Sequence, residues 1–166
     1  LTSGQTVNTN AAYLARRLQE AGLACARQHA VADERALIVE TLRAAMRRAQ
    51  VVITTGGLGP TFDDITAEAL AAATGRRLVV IRQVARQIRA FYRRHGRRLN
   101  QLALRQAAVP RGADALPNPI GTAPGIWLAV NGTILIALPG VPGEMQAILE
   151  RSVLPRLARL PHRGAI

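Results

Sequence analysis

The chain has 166 residues, 49% of them hydrophobic and 3% aromatic, with a formal net charge of +12. That is enough apolar material for one domain with a real core, 1–166, and no uncharged apolar run is long enough to span a bilayer. All 22 basic residues are arginine, which excludes a phosphate-loop lysine and a lysine Schiff base.

The chain opens in a polar loop, "LTSGQTVNTN", that feeds directly into a helical pattern. A doubly wound sheet places a strand before its first helix, so a first strand is expected upstream of the given residues, and no secretory signal is expected. In "NTNAAYLARRLQEAGL", Ala11, Leu14, Ala15, Leu18 and Leu23 recur at helical spacing, with Asn8 or Asn10 as the cap and Gly22 as the stop. "ACARQHAV" reads as a short extended segment; its Cys25, the single cysteine, excludes an internal disulfide and fits a reducing, cytoplasmic setting. "DERALIVETLRAAMRRA" predicts an amphipathic helix from Asp33, with Leu37, Ile38, Leu42 and Met46 inward. "QVVITT", apolar and β-branched on both faces, predicts a buried parallel strand. A glycine loop follows, then a helix from about Ile65 to Thr74 that ends at Gly75.

From Arg82 to Ala108 the pattern is helical and basic, broken near Gly96; Arg82, Arg86, Arg89, Arg93 and Arg97 form a polar stripe opposite Val84, Ile88, Phe91 and Tyr92. Asn131-Gly132 between two apolar runs is a hairpin signal, and a last helix runs from Pro142 to about Leu160. Alternating strands and helices predict a three-layer α/β/α domain with a mostly parallel sheet plus a β-hairpin. The only serines, Ser3 and Ser152, lack a nucleophile elbow, and His29, His95 and His162 lack zinc spacing. Chemistry must therefore rest on carboxylates, backbone amides and arginines.

In an open parallel sheet, ligands bind beyond the carboxyl ends of strands. "GGLGP" stands at such an end, and the amides of Gly56, Gly57 and Gly59 with the following helix N-terminus can cradle a phosphate. A cap at Asp63 or Asp64 explains only one of that adjacent pair. Two carboxylates beside a phosphate repel it unless a cation bridges them, which points to Mg²⁺ or another divalent cation held by Asp63, Asp64 and ligand phosphates. "NPIGTAPG", with Gly121 and Thr122, and "PGVPGE", with Gly140 and Gly143, are similar glycine-bearing turns at strand ends. Glu144 at the latter complements the helix dipole.

"SGQTVNTN", "GGLGPTFDDIT", "LPNPIGTAPG" and "LPGVPGEM" together resemble the N-terminal domain of the competence/damage-inducible protein A (CinA) family, which has the molybdopterin-binding fold. Leu58, where related molybdenum-cofactor enzymes more often carry a "GGTG" loop, favours the CinA branch. The resemblance implies metal-dependent hydrolysis of ADP-ribose to AMP and ribose 5-phosphate. It implies catalytic roles for Asp64, Asp63 and Asp33, and a nucleotide pocket lined by Asn10, Gly56, Gly57, Gly59, Thr61 and Gly140. It also implies self-association. The C-terminal amidase domain of many members is not expected within these residues. Two rivals stand beside this reading: a molybdopterin-binding module, and a nucleic-acid binder using Arg82 to Arg98. The latter is disfavoured because arginine and alanine are spread along the whole chain and few aromatics interleave the basic residues.

Overall fold

The computed structural model describes residues 7–160; the Leu1–Thr6 part of the opening loop, and anything expected upstream of it, lie outside them. The elements in order are α1 (Thr9–Glu20), α2 (Arg35–Met46), β1 (Val51–Thr55), α3 (Thr66–Thr74), β2 (Leu78–Val80), α4 (Arg82–Arg94), α5 (Gln101–Arg105) and β3 (Ala108–Pro110). They continue with β4 (Asp114–Leu116), β5 (Gly125–Val130), β6 (Thr133–Leu138), α6 (Pro142–Ile148), a π-helical turn (Leu149–Val153) and α7 (Leu154–Leu157).

The four-stranded sheet has the order β1-β6-β5-β4. It is mixed: β1 runs parallel to β6, while β6–β5 and β5–β4 are antiparallel, so the hairpin supplies more of the pairing than the sequence pattern suggests. Asn131 at φ 49° and Gly132 at φ 79° make the tight left-handed turn that the Asn-Gly pair predicts. Strand alternation then builds the layers. From β6, Leu135 and Ala137 join Leu42, Leu70 and Leu128 beneath α2 and α3. Ile136 and Leu138 join Leu14, Met145, Ile148 and Leu149 beneath α1 and the C-terminal helices. Helices therefore cover both faces, which is the α/β/α class. A satellite cluster of Val84, Ala85, Ile88, Ala103 and Ala107 seats α4 and α5.

Several local readings change. Asn8 caps α1, its side chain accepting from the Ala11 amide at 3.0 Å, and Gly22 ends it at φ 77°. "ACARQHAV" forms no strand and is almost wholly exposed, since it lacks an apolar face to bury. In α2, Leu37 points outward and is exposed, whereas Val39 packs with Ile38, Leu42 and Met46. β1 is half-buried rather than buried, because among the described residues only one of its edges is paired. The basic helical stretch splits at Gly96, where φ is 61°, and its end is strand β3, paired antiparallel with β2. The stripe Arg82, Arg86, Arg89, Arg93 and Arg97 is exposed, as its spacing requires.

Candidate ligand site at the strand ends

β1 and β6 are parallel neighbours, so the loops leaving both emerge side by side. The Gly56 amide continues the ladder by donating to Leu138 O at 2.9 Å. Gly56 (φ 99°) and Gly57 (φ 68°) then turn the chain through a region that side chains rarely adopt. Thr66, buried in the first turn of α3, closes this bend: its hydroxyl donates to Gly56 O at 2.8 Å, and its amide donates to Gly57 O at 3.0 Å. Leu58 is the anchor of the loop, with its side chain in the core cluster. From β6, Gly140 packs so closely on this bend that a Cβ there would stand 3.3 Å from Gly56 Cα. Asn10 of α1 fastens the two together, donating from Nδ2 to Thr55 Oγ1 at 2.9 Å and to Gly140 O at 2.8 Å. Its buried Oδ1 has no partner among the described residues.

Asp64 does not cap α3, and neither does Asp63; the cap position is Ile65, which makes no side-chain bond. Asp64 Oδ2 instead accepts from the Thr61 amide at 2.8 Å and the Thr61 hydroxyl at 2.5 Å. Burial pushes the Asp64 carboxyl up, but the Thr61 hydroxyl and amide, the Gly59 amide and the Arg105 charge together hold it below the usual carboxylate range. Gly59 is glycine for space, since a Cβ there would lie 2.6 Å from Asp64 Oδ2. Asp63 and Asp33 are exposed. Among the described residues no three His, Cys, Asp or Glu side chains gather as a metal-holding group, so Asp33, Asp63 and Asp64 do not form one cluster. A donor set of one or two carboxylates completed by ligand phosphates remains chemically suited to Mg²⁺.

The third loop, Asn118–Gly125, borders a groove of about 730 Å³ whose other wall is α4, with Ile88, Phe91 and His95 among its lining residues. The Gly121 amide donates to Asn118 Oδ1 at 2.9 Å and is spent inside the loop, while Thr122 lines the groove. Thr66 and Asn118 hold these loops in place without standing out as site residues along the chain. A threonine opening a helix after a glycine loop was the available signal for the first, and the Asn-Pro turn for the second.

Glycine-built turns stand side by side at the carboxyl ends of two parallel strands, joined by the half-buried side-chain amide of Asn10, in an α/β/α domain, the class in which ligand sites form beyond strand ends. A family model described as "Probable molybdopterin binding domain" matches residues 1–159. The solved structure of the protein CinA, of unknown function, from Thermoplasma acidophilum superposes with a TM-score of 0.85 at 36% identity, covering 95% of this chain and 90% of that one. A CinA-like protein from Geobacter metallireducens is 44% identical over 164 residues, 99% of this chain and 39% of its own. The molybdopterin biosynthesis enzyme MoaB from Thermus thermophilus shares the fold, with a TM-score of 0.60 at 24% identity over 94% of this chain and 84% of that one. The chain belongs to the molybdopterin-binding-domain family, among its CinA-like members. It spans 62%, 63% and 39% of the length of three curated relatives it matches. No helix among the described residues is long and apolar enough to cross a membrane.

Proposed function

We propose that this chain binds a phosphorylated heterocyclic ligand of the molybdopterin class at the loops following β1 and β6. The observation that carries this reading is the Asn10 bridge: it locks Gly56 and Gly140 into contact and leaves a buried acceptor, Oδ1, facing no described donor. Family membership across residues 1–159 supports the ligand class. The Gly56 amide is spent on Leu138 O and the Gly59 and Thr61 amides on Asp64, so the Gly57 and Leu58 amides, with those of the turn after β6, would hold the phosphate, and Thr122 would meet the ligand from the groove side. Calorimetric titration with molybdopterin tests this: saturable one-site binding, lost in Asn10→Leu, supports it, and no heat of binding overturns it.

A second reading makes the same site a hydrolase that splits the pyrophosphate of ADP-ribose. Water attacks one phosphorus, the P–O–P bond breaks, and AMP and ribose 5-phosphate leave. One feature favours it: the Asp64 carboxyl is held below the usual carboxylate range beside the glycine loop by the Thr61 and Gly59 hydrogen bonds. A divalent cation held by Asp63 and Asp64 would neutralise phosphate charge in such a reaction, while Asp33 stands apart from that pair. AMP release from ADP-ribose with Mg²⁺, compared between the wild-type chain and Asp64→Asn, separates an enzyme from a binding module. A positioned charged group contributes on the order of 10²-fold or more. Both readings take the whole protein to be a cytoplasmic homo-oligomer.

A further inference from the structure

Glu144 lies in the first turn of α6, where its charge complements the helix dipole. Its contacts go beyond that role. Glu144 Oε2 accepts from Asn118 Nδ2 at 2.6 Å. The same Asn118 Nδ2 donates to Ala123 O at 2.8 Å, while Oδ1 accepts from the Ile120 amide at 3.0 Å and the Gly121 amide at 2.9 Å. An amide side chain offers two donor hydrogens and two acceptor lone pairs, so Asn118 is used completely. Three of its bonds fold the 118–123 loop upon itself, and the fourth ties that loop to α6. Gly121 closes the contact from the other side: a Cβ there would collide with both oxygens of the Glu144 carboxylate. The φ of Gly121 is not positive. A side chain at position 121 would therefore have to push the Glu144 carboxylate away from Asn118.

We propose that Glu144 is a positioning residue for the ligand site, locking the 118–123 loop to the turn that follows β6 so that the two present one rigid wall. The proposal rests on the ligand-site reading above. The groove-side donor to the ligand is then Thr122, because the Gly121 amide is committed to the lock. An anionic ligand meets a Glu144 whose oxygens already face Asn118 and Gly121.

The test compares Glu144→Gln, whose side-chain carbonyl can still accept from Asn118, with Glu144→Ala, which cannot. Amide hydrogen exchange at Ile120 and Gly121 reads the lock without any ligand, and titrations with molybdopterin and ADP-ribose read its consequence. In Glu144→Ala, exchange at both amides should rise about tenfold or more as the loop opens locally. Affinity for whichever probe the wild-type chain binds should fall about tenfold or more. Glu144→Gln should restore both to within about threefold of wild type. Unchanged exchange in Glu144→Ala, or a Glu144→Gln variant as impaired as Glu144→Ala, overturns the lock. A wild-type chain that binds neither probe overturns the site reading instead, and the exchange data show which has failed.

Discussion

Gly57→Ala isolates the physics of the glycine loop. Gly57 sits at φ 68°, and an added Cβ would collide with Thr66 Oγ1 and stand 3.2 Å from Thr66 Cβ. The left-handed backbone costs a non-glycine residue about 1–2 kcal/mol. Forcing a methyl into a packed site costs about 1–3 kcal/mol more, so the substitution should destabilise by about 2–5 kcal/mol. Gly75→Ala is the control: it has nearly the same φ, 67°, but nothing within 4 Å of the new methyl. It should show the backbone cost alone, about 1–2 kcal/mol. Urea unfolding at 25 °C, with unchanged slopes, reads both differences. Thr66→Ala removes the atom at closest approach while losing its bond to Gly56 O, so the double variant Gly57→Ala/Thr66→Ala should cost less than the sum of its parts. A Gly57→Ala chain no less stable than Gly75→Ala, or strictly additive effects in the double variant, would refute the claim that Thr66 closes this bend.

Three further outcomes follow from the same geometry. Because the folded Asp64 carboxyl is held below its ordinary range, its contribution to stability is present above about pH 4 and is lost as pH falls through the folded value. The stability gap between wild type and Asp64→Asn in urea titrations should therefore shrink on acidification; a gap that widens contradicts the assignment. Glu150 behaves alike: the Arg17 guanidinium bonded to it at 2.6 Å, against the opposing effect of burial and with help from the Tyr13 hydroxyl, lowers its pKa. Glu150→Gln should cost at most about 1 kcal/mol at pH 7, since the pair is partly exposed, and that cost should fade in acid. Finally, the exposed α4 arginines should give duplex DNA only nonspecific affinity, about 10⁻⁴–10⁻⁶ M at physiological salt; submicromolar, sequence-dependent binding in a fluorescence titration would overturn that.

What the sequence carried was local. The Asn8 cap, the Gly22 stop, the Asn131-Gly132 turn and the passage from Val51–Thr55 through the glycines into α3 are set by residues within a few positions of one another. β2 and β3 escaped because three residues each cannot display a period. Periodicity cannot place Leu37 because apolar residues outnumber the inward positions in α2, and packing selects Val39 instead. The adjacent Asp63 and Asp64 stand out along the chain, yet Asp64 turns back to Thr61 instead of capping α3, a choice made by loop geometry. The Asn118–Glu144 bond joins positions 26 apart, and no pattern along the chain encodes a contact of that kind.

A ligand site built by the turns after β1 and β6 can be located by residue-resolved amide chemical shifts during titration of the ¹⁵N-labelled chain with molybdopterin and, separately, ADP-ribose. Saturable perturbations should concentrate at Gly56–Thr61 and Gly140–Glu144 and extend to Thr122, with the α4 arginines silent. Perturbations confined to α4, or none at either loop for both ligands, would contradict it.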